Sequence, residues 1–283
     1  MPVAIPTSLE KALSLLALRP DSVVLAGGTD LMVEVNSGHR QIGSVIAIDR
    51  VAELRTWGVD EDRRNLWIGS GVPYSTVMQD GIATLVPALA QASRTVGSPQ
   101  IRHVGTIGGN LGTCSPAGDT LPVLAALDAR VHLASSSGER SVGFGEFMVG
   151  VKRTSRRPGE LITGVTIPLL NGWQGYSKVG VRNAMVIATA SSCLAVDTDT
   201  QSVRVGLGSV GPVIIRCGEA EEWISGRVDW AELSVSDADV DEFGLRCGAA
   251  ARPIDDHRST AAYRRRAVEV LAARQLRRAF PNG

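Results

Sequence analysis

The residues best suited to chemistry in this chain carry almost no side chain. The run Thr106-Ile107-Gly108-Gly109-Asn110-Leu111-Gly112-Thr113-Cys114-Ser115-Pro116-Ala117-Gly118-Asp119 follows Gly105 and leads into Thr120. It combines glycines, hydroxyls and one acid, Asp119. Glycine lets backbone approach a ligand and take positive φ. Backbone N–H groups exposed in that way make anion-binding concavities, and hydroxyls add further donors. The composition suits a phosphate-bearing cofactor. Asp119 does not suit a phosphate, because two negative charges repel. It suits a hydroxyl or N–H of the same cofactor, such as a ribityl or ribose group. A second run of the same character, Ala26-Gly27-Gly28-Thr29-Asp30-Leu31, lies far upstream, so two Gly/Thr loops are expected on one cofactor.

Other candidate chemistry is weaker. Cys114, Cys193, Cys217 and Cys247 are widely separated, with no Cys-x-x-Cys, which argues against zinc or iron–sulfur ligation. His39, His103, His132 and His257 form no His-x-x-x-His pair. Structural roles are expected for all of these residues. No Gly-x-Ser-x-Gly elbow and no Gly-Lys-Ser/Thr phosphate loop is present. Gly206-Leu207-Gly208-Ser209-Val210-Gly211 spells the dinucleotide fingerprint and follows a predicted strand. That fingerprint must open a helix, whereas Pro212-Val213-Ile214-Ile215 follows, so a strand end and turn is the expectation. Lys178 and Arg182 fall on a predicted strand. A lysine there could favour negative charge on a cofactor, but an ordinary strand-surface pair is the simpler reading.

These residues must be positioned by a mixed set of elements. Thr7-Ser8-Leu9-Glu10 reads as a capping box, and Leu9, Ala12, Leu13 and Leu16 continue at helical spacing. Ser22 to Ala26 is a short β-rich run that feeds Gly27-Gly28. Leu31 to Val35 starts a helix or turn, and Val45 to Asp49 is a second strand, giving a β-α-β unit. Leu66 to Gly71 is a strand, Ser75 to Gln79 a helical turn, and Leu85 to Val96 a helix with Pro87 in its first turn. Asp119 to Asp128 reads as a helix, which puts Asp119 near a positive helix end. Val131 to Ala134 and Glu139 to Val142 flank a hairpin turn, and Leu161 to Ile167 is a strand. Beyond Asn171-Gly172 the pattern changes. Trp173 to Val181, Val186 to Val196 and Val203 to Val210 are predicted as an antiparallel meander, and Glu219 to Ile224, Asp237 to Ala250 and Ser259 to Phe280 as helices. The last is expected to turn Arg264, Arg265, Arg266, Arg274, Arg277 and Arg278 outward, and Tyr263, Ala267, Val270, Leu271 and Leu276 inward.

The chain has 283 residues, with 29 Lys+Arg balancing 29 Asp+Glu. That length can bury a full core and lies near the point where chains divide into two domains. Zero net charge gives no broad pull toward nucleic acid or an anionic membrane. The basic last helix is read as a solvated face or a protein-docking surface. No apolar run approaches the ~20 residues that span a bilayer, and the N-terminus lacks signal-peptide order. A cytoplasmic location is the expectation.

Taken together, the motifs resemble the FAD-binding subunit of the molybdenum hydroxylases, the relatives of xanthine dehydrogenase and carbon monoxide dehydrogenase. The resemblance is carried by Pro6 to Glu10, Ala26 to Leu31, Val104 to Asn110 and Ser115 to Asp119. Lys178-Val179-Gly180-Val181-Arg182-Asn183-Ala184-Met185, Asp255 to Ser259 and Tyr263-Arg264-Arg265 add to it. It implies an α+β fold. Residues 1–170 would form an FAD-binding domain of the vanillyl-alcohol-oxidase (PCMH) type, with subdomains of about 1–55 and 56–170. Residues 171–283 would form a C-terminal domain with a three-stranded antiparallel sheet and helices. It further implies that Val24-Leu25-Ala26-Gly27-Gly28-Thr29-Asp30-Leu31 wraps the pyrophosphate and that Thr106-Ile107-Gly108-Gly109-Asn110 approaches the pyrophosphate and flavin. By the same resemblance Ser115 and Asp119 contact the ribityl and ribose region, Val96 and Ile162 lie beside the rings, and Lys178 contacts FAD.

The same resemblance implies no catalytic acid or base and no metal in this chain. The molybdenum cofactor and [2Fe–2S] clusters would sit in a molybdopterin large subunit and an iron–sulfur small subunit, assembled as a dimer of heterotrimers. FAD would pass electrons to NAD or another acceptor. One departure is that Val186-Ile187-Ala188 stands where many relatives carry an acid before Ile-Ala, so no carboxylate role is implied there. No cysteine-rich insertion like that of the benzoyl-CoA reductase branch is present. Two alternatives stay open on the residues alone: a free-standing FAD-dependent oxidase or dehydrogenase of a small organic substrate, and a non-catalytic module whose Gly loops hold a nucleotide or only make turns.

Overall fold

The fold is that of a computed structural model that describes residues 2–39 and 41–281. The N-terminal unit is β1 (Val3–Ala4), α1 (Leu9–Leu18), β2 (Val23–Leu25), α2 (Leu31–Asn36) and β3 (Val45–Ala47). Its three strands are parallel in the order β1-β3-β2. Ala12 and Leu16, one turn apart on α1, are buried against Ile46 and Ile48. The cap sits one residue later than the sequence suggests. Ser8, not Thr7, accepts from the Lys11 amide, and the Leu9 amide donates to Glu53 Oε1 at 3.0 Å. Strand β2 runs directly into Gly27-Gly28, as expected.

The second unit is built on a five-stranded antiparallel sheet, β4-β5-β10-β6-β7. Its strands are β4 (Trp57–Val59), β5 (Asn65–Gly69), β6 (Arg130–Ser135), β7 (Gly138–Gly143) and, after the small hairpin β8 (Met148–Gly150) and β9 (Arg153–Thr154), β10 (Leu161–Pro168). Alternate residues Leu66, Ile68, Val131, Leu133, Val165 and Ile167 point into the core. Short helices cover that face: α3 (Tyr74–Val77), α4 (Asp80–Leu85), α5 (Pro87–Arg94), α6 (Pro99–Val104), α7 (Ile107–Thr113) and α8 (Leu121–Ala126), with α9 (Phe144–Phe147) after β7. The helix expected over Leu85 to Val96 starts at Pro87, because the proline at its first position interrupts the ladder from α4. Strand β4 and helices α6 and α7 carry too little periodicity to be read from sequence.

On the other face, Trp67 lies over Gly164 and meets His132 edge-on, and His132 Nε2 is 2.8 Å from Thr166 Oγ1. Burial, reinforced by the Arg130 guanidinium and opposed by Glu139, holds the His132 pKa below the ordinary value of 6.5. The folded state therefore binds this proton less readily than the unfolded chain. The stability His132 contributes is present above pH 6.5 and is lost as pH falls through its lowered folded pKa. Urea unfolding from about pH 8 to about pH 5 should show a smaller loss of stability for His132→Asn than for the wild type.

The third unit holds β11 (Gln174–Val179), β12 (Ala190–Asp197), β13 (Ser202–Gly208) and the two-residue β14 (Ile215–Arg216), antiparallel in that order. The predicted three-stranded meander is present, and β14 adds a short fourth strand at its edge. Helices α10 (Gly218–Ser225), α11 (Asp237–Ala250) and α12 (Ala261–Ala279) cover one face around Phe243, Val268 and Leu276. The other face rests on the second unit, so β12 is buried along its whole length. At that seam an added Cβ on Gly206 would stand 2.3 Å from the Pro122 carbonyl oxygen. This close approach explains a glycine of the Gly-x-Gly-x-x-Gly run without a nucleotide, and no helix follows it. Helix α12 departs from its expected faces: Tyr263 is exposed and Arg264 is buried. Arg264 donates to the Thr189 and Ser209 carbonyls and pairs with Asp256 at 2.6 Å. Among the described residues no helix is long and apolar enough to cross a membrane.

Candidate functional site

The two Gly-rich segments meet. An added Cβ on Gly27 would lie 1.8 Å from the Val104 carbonyl oxygen and 2.9 Å from the Gly105 amide nitrogen. Gly28 follows in the left-handed region at φ +71°, where a side chain is disfavoured. Thr113 Oγ1 donates to Asp30 Oδ2 at 3.2 Å, tying the end of α7 to the first loop. The amides of Gly27, Gly28, Thr29 and Asp30 donate to no protein acceptor among the described residues. Such a run of unspent N–H groups on a turn is an anion cradle.

The second segment contributes differently from its sequence reading. It is mostly helix. Ile107 and Leu111, four residues apart, are both fully buried, and that packing overrides the poor helix propensity of the glycines between them. Its amides are spent internally: Ile107 on the Val72 carbonyl, Gly108 on Ser70, Gly109 on Thr106 Oγ1 at 2.9 Å and Asn110 on the Thr106 carbonyl. What α7 offers is a bare face. Gly109 has only Thr106 Oγ1 within 4 Å of an added Cβ, and Gly112 only Ile162 Cδ1 at 3.9 Å. These glycines lie one turn apart on one side of the helix, so a flat group can lie against backbone there. Thr106 is the N-cap. Thr106→Ala is expected to cost about 1 kcal/mol in urea unfolding.

Beyond α7 the chain turns back toward Asn110 and then reaches Asp119. Asn110 Oδ1 accepts from Thr120 Oγ1 at 2.5 Å, and Ser115 Oγ accepts from the Ala117 amide at 3.3 Å. Asp119 is nearly buried and receives two donors from β11, Tyr176 Oη and Lys178 Nζ, each at 2.8 Å. Lys178 also donates to the carbonyls of Thr95 and Val186, both at 3.1 Å. The neighbour of Thr95, Val96, is half-buried against the main core, and its carbonyl is held by Arg102 at 3.0 Å.

Two phenols report on the same acid. Burial and the Asp119 carboxylate push the Tyr176 phenol well above its ordinary range. Burial, then Asp119 and Asp30, raise Tyr74. One ring thus senses the acids of both loops. Cys114 is buried, and burial pushes its thiol up to about 12, which makes it inert.

Most of the sequence-selected residues form one chain of contacts, whereas Ser115 bonds only within its own turn, to Ala117 and Gly118. Val24 to Leu31 meets the start of the second segment through Gly27, at Val104 and Gly105, and the end of α7 through Asp30, at Thr113. Ile162 joins through Gly112, Asp119 joins through Asn110 and Thr120, and Lys178 and Val96 join through Asp119 and Thr95. Tyr74, Thr113 and Tyr176 are additions. Tyr176 was legible in principle, because it lies two residues before Lys178 on the same strand face. Among the described residues no cluster of His, Cys, Asp or Glu could hold a metal ion.

Residues 1–170 match the family model for the FAD-binding domain in molybdopterin dehydrogenase, and residues 176–279 that for the CO dehydrogenase flavoprotein C-terminal domain. The chain is 31% identical over 274 residues to a glyceraldehyde dehydrogenase medium chain of Sulfolobus acidocaldarius, covering 95% of each. It is 32% identical over 284 residues to a nicotine 6-hydroxylase medium subunit of Paenarthrobacter nicotinovorans, covering 96% of this chain and 95% of the relative. Among solved structures it superposes on a chain of reconstituted CO dehydrogenase from Oligotropha carboxidovorans with a TM-score of 0.90. The identity is 25%, and the match covers 100% of this chain and 98% of the other. A chain of quinoline 2-oxidoreductase from Pseudomonas putida gives 0.90 at 22% identity over 99% and 97%, a likeness of fold.

Proposed function

Because the chain belongs to the family of FAD-binding medium subunits of molybdopterin dehydrogenases, we propose that it is the electron-transfer flavoprotein of a molybdenum hydroxylase complex. The observation that carries this reading is the contact of Gly27 with Val104 and Gly105, which brings two remote Gly-rich segments together. FAD is the ligand assigned to these segments in this reading. The free amides of Gly27 to Asp30 bind its diphosphate, flanked by Val24, Leu25, Ala26 and Leu31. The bare face of α7 at Gly109 and Gly112 receives the flat rings, with Ile162 and Val96 as apolar walls. Thr106, Ile107, Gly108 and Asn110 set the position of that face. Asp119 and Ser115 accept from sugar hydroxyls, since two donors on Asp119 leave acceptor capacity on both oxygens. Bound FAD supplies redox chemistry between the partner's centres and the terminal acceptor. The protein's part is to hold the cofactor, keep its apolar rim dry and leave one edge open.

In this reading residues 1–170 form the cofactor domain, with subdomains of about 1–55 and 56–170, and residues 171–283 cover it. The partners are an iron–sulfur small subunit and a molybdopterin large subunit in a dimer of heterotrimers, in the cytoplasm, with NAD or another molecule as final acceptor. The hydroxylated substrate is chosen in the large partner. Purification of the native complex tests this. The expected result is FAD on this chain, with iron and molybdenum on two co-purifying chains. Steady turnover of an organic substrate by this chain alone would contradict it.

A further inference from the structure

The run from Gly206 to Gly211 opens no helix, yet its backbone presses on the segment that carries Asp119. An added Cβ on Gly206 would stand 2.3 Å from the Pro122 carbonyl oxygen, and one on Gly208 would stand 2.8 Å from Pro122 Cγ. The Ser209 amide donates to the Pro116 carbonyl at 2.8 Å. Pro116 and Pro122 each lie three residues from Asp119, so the end of β13 grips that segment on both sides of the acid. Ser209 reaches Pro116 in the left-handed region, at φ +62°, which a residue with a Cβ rarely adopts. Such a conformation persists only where the surroundings over-determine it. Here the Ser209 carbonyl accepts from the buried Arg264 Nη1 at 3.0 Å. The same nitrogen donates to the Thr189 carbonyl at 2.8 Å, and Nη2 pairs with Asp256 at 2.6 Å. Asp256 is itself fixed by the Arg258 and Ser259 amides, at 2.9 and 3.2 Å. Ser209 is thus held at its amide and at its carbonyl, and both contacts are made by main chain.

We infer that Gly206 to Ser209, locked by Arg264, form a positioning platform for the turn from Ser115 to Asp119 and set where that turn meets the cofactor. The inference rests on the reading of Ser115 and Asp119 as contacts to the sugar hydroxyls of FAD. Hydrogen bonds weaken steeply as distance and angle depart from their optimum. A displaced Pro116 or Pro122 carries Ser115 and Asp119 with it, so their oxygens no longer line up with those hydroxyls. The platform is backbone pressed on backbone, and main chain cannot rotate aside as a side chain can. FAD affinity then depends on the C-terminal family match of 176–279 as well as on the FAD-binding match of 1–170.

The test uses the full chain, with FAD affinity read by fluorescence titration of flavin-free protein and thermal unfolding read in parallel. Gly206→Ala pushes on Pro122, and Arg264→Lys replaces a planar fork by a single point of charge. At a temperature where both are folded, each is expected to weaken FAD binding about tenfold, the scale of one lost hydrogen bond to a charged group. Hydrogen exchange of the flavin-free variants should be faster at the Ala117 and Gly118 amides, which donate to Ser115. Ser209→Gly keeps the amide and the carbonyl and removes the strained Cβ. It should unfold at a higher temperature and bind FAD as tightly as the wild type. Phe243→Leu, a core change on α11 of the same unit, should lower the unfolding temperature and leave FAD affinity unchanged. Gly206→Ala and Arg264→Lys chains that unfold earlier but bind FAD like the wild type would overturn the inference. So would losses of affinity no larger than that of Phe243→Leu, or unchanged exchange at Ala117 and Gly118. A wild-type chain that does not bind FAD overturns the FAD reading along with this inference, whereas wild-type binding with unaffected variants overturns this inference alone.

Discussion

Gly27→Ala is expected to yield a chain that is purified without flavin and does not take it up. The added carbon would stand 1.8 Å from the Val104 carbonyl oxygen, and backbone on both sides leaves nothing flexible to move. Overpacking costs about 1–3 kcal/mol and occasionally more. A clash with a main-chain carbonyl belongs at the upper end. About 3 kcal/mol directed at the binding geometry is roughly two orders of magnitude in affinity. The two segments must separate, and the free amides of the first loop then lose their position relative to α7. Flavin absorbance of the purified protein checks this, with urea unfolding for the stability change. Gly218→Ala is the control, because an added Cβ there meets nothing within 4 Å. It should leave flavin content unchanged.

Arg264→Met should be the most damaging single change in the C-terminal unit. The guanidinium is 4% exposed and holds Asp256 and the carbonyls of Thr189 and Ser209. Breaking a buried pair by removing one partner costs about 3–5 kcal/mol, and here two carbonyls lose their donor as well. Asp256 is 23% exposed and regains some water, which places the expected loss nearer 3 kcal/mol. The urea midpoint of the whole chain should fall accordingly. Because Thr189 opens the return from Val186 into β12, cleavage by a protease between residues 180 and 189 should also become faster.

Arg264 also shows where the sequence stops being legible. Six arginines in two clusters on α12 read as one solvated face, and helical spacing does not single out the one that turns inward. Its two carbonyl acceptors lie 75 and 55 residues away in the chain, so the tertiary fold as well as the nearby Asp256 selects it. The organising run was legible from composition as a stretch of glycines and hydroxyls. Its conformation was not, because α7 exists through the burial of Ile107 and Leu111 against distant residues and in spite of its glycines. Its amides at Ile107 to Asn110 are accordingly bonded within the protein, and Gly109 and Gly112 leave one face bare. The meander, α11 and the exit of β2 into Gly27-Gly28 were legible, since each depends on local alternation, helical spacing or a turn. Lys178 reads from the local sequence as a strand-surface residue, and only the family pattern singles it out. The convergence of Thr95, Asp119 and Val186 on its ammonium follows from the tertiary fold.

The central claim is that two remote segments close on the same cofactor. Hydrogen exchange of the full chain with and without FAD tests it most directly. On saturation with FAD, amides of residues 26–31 and of residues 104–113 should gain protection together, at the same FAD concentration. Protection confined to one segment, with the other exchanging as in the flavin-free chain, would contradict the account.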